Sequence, residues 1–94
     1  MLHIVNKSPA QTSTLASCLR LAQPGHALLL IEDAVYAATQ ADTLAAMKPL
    51  KVYVLQPDVD ARGMKGRIGD GVTPVDYAGF VDLVAEHPTN QSWL

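Results

Sequence analysis

With 94 residues, 49% of them hydrophobic and 17% charged, the chain has material for one domain and a real interior but a sparsely charged exterior for so small a body. A chain this short buries roughly 60–65% of its unfolded surface, so added stability from a partner, including oligomer formation, is expected. The net charge of -2 excludes any bulk electrostatic attraction for nucleic acid, and no stretch approaches the roughly 20 apolar residues that cross a bilayer.

Cys18 stands alone, which rules out an internal disulfide and paired-cysteine metal motifs and fits a reducing compartment. Met1 to Lys7 lacks the basic-then-apolar pattern of a secretory signal, so a cytoplasmic location is expected.

Leu2 to Val5 is a short apolar run closed by Asn6-Lys7-Ser8-Pro9 and reads as a first strand. Thr12 or Ser13 offers an N-cap for a helix whose Leu15, Cys18, Leu19 and Ala22 recur on one face, and Pro24-Gly25 ends it. Ala27 to Ile31 is apolar throughout and stops at Glu32-Asp33. A strand covered on only one face alternates, so this run predicts a central strand buried on both faces. Ala34 to Met47 is alanine-rich and predicts a helix interrupted near Thr39-Gln40, with Asp33 as its N-cap.

Lys51 to Leu55 predicts a third strand, after which Asp58 and Arg62 sit four residues apart on a short helix that Gly63 can terminate. Gly63 to Gly71 contains four glycines and predicts a mobile loop. Val72 to Val75, interrupted by Pro74, suits a sheet edge. Tyr77 to Glu86 predicts a last helix that turns Phe80, Val81 and Val84 to the sheet, and the tail is polar until Trp93-Leu94. Alternating strands and helices imply one layered α/β domain over residues 1–94, with a mainly parallel sheet of four or five strands between helical layers.

In such sheets, chemistry gathers beyond the carboxyl ends of the strands, which points to Glu32 and Asp33; helix capping is their competing role. Cys18 is the one strong nucleophile near neutral pH, yet a cysteine on an apolar helix face is commonly an inert buried thiol. His3, His26 and His87 lack helical ligand spacing, so no metal site is expected. Arg62, Lys65 and Arg67 on a glycine-rich loop could wrap an anion or a partner, although neither phosphate-loop spacing is present. Trp93 and Leu94 suit docking, either on their own domain or on a neighbouring subunit.

Taken together, Met1 to Pro9, Ser17-Cys18-Leu19, Gly25 to Tyr36, Val52 to Leu55 with Asp58 and Ala61-Arg62-Gly63, Val75 to Val81, and Trp93-Leu94 resemble the DsrH/TusB family along nearly the whole chain. That resemblance implies a flavodoxin-like three-layer fold and a sulfur-relay subunit that assembles with DsrE/TusD-like and DsrF/TusC-like proteins as a dimer of heterotrimers. Upstream and downstream sulfur carriers would exchange persulfide with the complex, for 2-thiolation of the tRNA wobble uridine or for intracellular sulfur oxidation. The principal sulfur-carrying cysteine of the family lies in the DsrE/TusD-type subunit, and Cys18 matches a cysteine of the DsrH type, a candidate secondary carrier. No metal or organic cofactor is implied. A purely structural subunit and an anion- or nucleotide-binding regulator are the alternative readings, and a homo-oligomer is an option when the chain is made alone.

Overall fold

In the computed structural model, which describes residues 1–93, five parallel strands lie in the order β4-β3-β2-β1-β5: β1 Leu2–Val5, β2 Ala27–Leu30, β3 Lys51–Leu55, β4 Val72–Val75 and β5 Asn90–Trp93. Leu94, half of the expected docking pair, lies outside the described residues. β2 is the middle of the sheet, as its uninterrupted apolar run requires, and all four of its residues are buried. β4 is an edge strand, so Pro74 leaves no buried partner without a donor.

The alternation along β1 and β2 divides the core in two. Val5, Leu28, Leu30, Val52 and Val54 face a layer made by α1 (Thr14–Leu21), a 3-10 helix (Glu32–Thr39), α2 (Ala41–Met47) and α3 (Gln56–Ala61), which contribute Leu15, Cys18, Val35, Met47 and Val59. On the opposite face Leu2, Ile4, Ala27 and Leu29 meet Leu83 of α4 (Tyr77–Glu86), with Phe80 beside it. Burial of each of these large aliphatic side chains stabilises the fold by about 1.5–3 kcal/mol. The expected break near Thr39-Gln40 is present: Gln40 is extended and separates the 3-10 turns from α2.

Ser13 is the N-cap of α1, one of the two expected positions, but makes no side-chain bond, and Thr12 Oγ1 accepts the Thr14 amide at 3.3 Å. The polar tail supplies the fifth strand, with Asn90 to Trp93 in register with Leu2 to Val5. Helix α4 is rolled relative to the sequence reading. Leu83 is buried and Phe80 partly so, whereas Val81 and Val84 point outward. The cause is Gly79, where an added Cβ would sit 2.9 Å from Val75 Cβ, so the glycine side of the helix presses on β4 and carries Phe80 and Leu83 inward.

That contact fixes a prediction. Alanine at position 79 gains about 1 kcal/mol in helix propensity. It also forces α4 away from Val75, whose Cβ is rigidly attached to the strand, at an overpacking cost of about 1–3 kcal/mol. Gly79→Ala is therefore expected to lower the urea midpoint, and a raised midpoint would show that the helix does not bear on β4.

Candidate functional site

The segments following β1, β2 and β3 meet at the carboxyl edge of the sheet. Glu32, directly after Ile31, has a φ of 50°, a left-handed conformation that costs a non-glycine residue about 1–2 kcal/mol. Neighbouring elements hold it there. Glu32 N–H donates to Asp58 Oδ2 at 2.7 Å, and Asn6 Nδ2 donates to Glu32 Oε2 at 3.4 Å. Asp58 thus places a carboxylate at the start of the 3-10 helix, the position expected for Asp33. Asp33 instead accepts a hydrogen bond from Arg62 Nε at 2.9 Å, and Arg62 Nη1 lies 3.8 Å from Asp58 Oδ1. The hydrogen bond that Arg62 donates to Asp33 raises the Arg62 pKa above its ordinary value despite the opposing effect of burial, with the charges of Asp33 and Asp58 adding to the rise.

This clamp engages one of the three cations expected for anion binding. Arg62 is turned inward to two carboxylates, while Lys65 and Arg67 stand exposed on the following loop. Beside Asp33 a cleft of ≈ 450 Å³ is lined by Ser8, Gln11, Tyr36 and Gln40. It contains no nucleophile paired with a base: Ser8 Oγ accepts the Ala10 amide at 3.2 Å. Among the described residues no group of three His, Cys, Asp or Glu side chains could hold a metal ion.

Cys18 lies away from that edge, on the inward face of α1 among Leu15, Val5 and Leu28. It is 0% exposed, and burial pushes its thiol pKa up to about 11. At neutral pH only about one thiol in ten thousand would be ionised, whereas nucleophilic cysteines owe their reactivity to a lowered pKa and an open approach.

Trp93 docks on its own sheet. Its ring packs against the cluster containing Val5 and Cys18, and Nε1–H donates to His3 Nδ1 at 3.2 Å. His3 Nε2 lies 3.1 Å from His26 Nδ1, which also accepts the Gln23 amide at 3.2 Å. His3 Nδ1 accepts the indole N–H, so His3 Nε2–H donates toward His26 Nδ1, whose one lone pair is shared with the Gln23 amide. His3 is neutral in that chain. Sequence spacing does not reveal the pair, because His3 and His26 become neighbours only through the β1–β2 register that aligns Leu2 with Ala27.

The fold and this edge define a class of small parallel-sheet α/β proteins. The chain is similar in structure to the ychN protein from E. coli, with a TM-score of 0.80 and 19% identity over 97% of each chain. It is also similar to protein Tm0979 from Thermotoga maritima, with a TM-score of 0.70 and 24% identity over 93% of this chain and 94% of that one. The family described as DsrH like protein matches residues 7–90, and the chain belongs to the DsrH family. Relatives named Protein TusB are 41% identical in Escherichia coli O1:K1 and 40% identical in Shigella boydii serotype 18, each over 99% of this chain and the full length of the relative.

The histidine chain gives stability a pH dependence. Burial, then the His26 charge, then the amino terminus lower the His3 pKa from 6.5, so the folded state binds this proton less readily than the unfolded state. The contribution is complete above pH 6.5 and is lost as pH falls below it toward the lowered folded value. Unfolding free energy measured by urea titration should therefore decline as the pH drops from 6.5. His3→Gln, which keeps an acceptor for the indole but does not titrate, should reduce that slope. An unchanged slope would show that His3 does not set it.

Proposed function

We propose that this chain is a subunit of a cytoplasmic sulfur-relay complex serving 2-thiolation of the tRNA wobble uridine. It acts with DsrE/TusD-like and DsrF/TusC-like subunits and contributes assembly rather than chemistry. Membership of the DsrH family supports a sulfur-relay subunit, and the 41% identity to relatives named TusB favours the tRNA branch. The observation that carries the non-catalytic role is the burial of Cys18, with its thiol pKa near 11. A secondary carrier would need its thiolate to attack the outer sulfur of a donor persulfide, forming a new S–S bond at Cys18 while the old one breaks and the donor leaves as a thiolate. That step needs both ionisation and in-line access to Sγ, and the core around Leu15 and Val5 opposes both. The commitment of Arg62 to Asp33 and Asp58 likewise disfavours the anion-binding alternative.

The reading can be tested with the complex reconstituted from all three kinds of subunit and supplied with a persulfide donor. Intact-mass analysis should find added sulfur on the DsrE/TusD-like subunit and none on Cys18. Cys18→Ala should leave the relay rate unchanged while lowering the stability of the isolated chain by on the order of 1 kcal/mol, the cost of a small cavity. Persulfide on Cys18, or a tenfold slower relay in the variant, would overturn the assembly role.

A further inference from the structure

The face of α4 turned away from the sheet has the composition of an interior. Tyr77 is 62% exposed, Val81 65% and Val84 36%, and Ala78 and Ala85 lie exposed beside them. A solvated helix face is ordinarily polar or charged, and a contiguous exposed apolar stripe marks an interaction surface. Electrostatics says what kind. All seven Lys and Arg residues of the chain lie at or before Arg67, while Asp70, Asp76, Asp82 and Glu86 follow it. On the helix, Asp82 and Glu86 border the apolar stripe on one side, and no basic residue lies in the last turn. Glu86 there opposes the helix dipole, so its placement does not serve the stability of the helix itself.

A second copy of this chain fits that face poorly. Identical helices related by a two-fold axis through Val81 run antiparallel, which sets Glu86 of each against Asp76 of the other. Acid would meet acid at both ends, and among the described residues of the sheet beneath, Lys51 at the start of β3 alone offers a positive charge on the same face. Like charges facing one another suppress association, whereas opposite charges around an apolar centre favour it.

We infer that the outward face of α4 is the docking surface for a different protein subunit, one presenting an apolar patch bordered by lysine or arginine. The inference rests on reading the chain as a subunit of a heteromeric complex, and it assigns the contact to Tyr77, Val81 and Val84, flanked by Asp82 and Glu86.

The test measures the affinity of the full chain for its co-expressed DsrE- and DsrF-like partners by analytical ultracentrifugation at low and moderate salt. Val81→Lys should weaken binding at least tenfold, and the double variant Asp82→Lys/Glu86→Lys should weaken it and flatten the salt dependence. Leu21→Lys, an equally exposed apolar position on α1, should bind as the wild type does. The melting temperatures of the isolated variants should match the wild type, which separates lost docking from lost folding. Wild-type affinity in both α4 variants would overturn the inference while leaving the proposed function standing. A homodimer that Val81→Lys dissociates, with partner binding unchanged, would overturn it in favour of a second copy. Failure of the wild-type chain to bind the partners at all would overturn both.

Discussion

A sheet whose strands all run one way must be covered on both faces, because each parallel connection has to cross back over one of them. Ninety-four residues meet that demand unevenly. α1, the 3-10 helix with α2, and α3 together cover one face, whereas among the described residues α4 alone covers the other. That helix joins β4 at one edge to β5 at the opposite edge, so it must traverse the whole sheet. Leu83 and Phe80 therefore reach Leu2, Ile4, Ala27 and Leu29 on strands adjacent to neither end of the helix in sequence.

The parts of this arrangement that depend on local pattern were legible in the sequence. The unbroken run Ala27 to Ile31 read as a doubly covered strand, the Leu15–Cys18 spacing marked the inward face of α1, and Pro74 suited β4 to an edge. Features set by pairing between distant segments were not. Asn90-Gln91-Ser92 has no strand-like composition and becomes β5 because the exposed edge of β1 supplies partners for its backbone. The roll of α4 depends on a glycine meeting Val75, and Phe80, Val81, Leu83 and Val84 offer almost any apolar face until that contact chooses one. The same holds at the carboxyl edge. Adjacent acids after a strand predict a cap, but nothing local says that Asp58, 25 residues beyond Asp33, supplies the carboxylate and frees Asp33 for Arg62.

Cysteine chemistry shows the gap between residue type and environment. As a side chain, Cys18 was the leading nucleophile, and membership of a sulfur-handling family strengthens that reading. The fold opposes it by desolvation: the thiolate would have to exist in the core with Leu15, Val5 and Leu28, and that burial raises its pKa. Polar chemistry in the same layer is instead found in His3, His26 and Trp93, where the indole donates to His3 Nδ1 and the other His3 nitrogen meets His26. A buried network of that kind adds little net stability but strongly disfavours any strand register that would break it.

That network bears on α4 as well, because β5 follows the helix after a short turn. The helix is pinned at its start, where Asp76 Oδ1 accepts the Gly79 amide at 2.8 Å and Gly79 rests on Val75. It is pinned again at its end, where His87 Nδ1 donates to the Leu83 carbonyl at 2.8 Å and the Leu2 amide donates to the Thr89 carbonyl at 3.1 Å. With Trp93 bonded to His3, residues 87–93 tie the end of the helix to β1. A surface held at both ends is already in its binding geometry, so a partner meeting Tyr77, Val81 and Val84 would not have to order the helix in order to bind. The polar chain on one face of the sheet thus helps hold the end of a helix on the other face whose roll Gly79 sets.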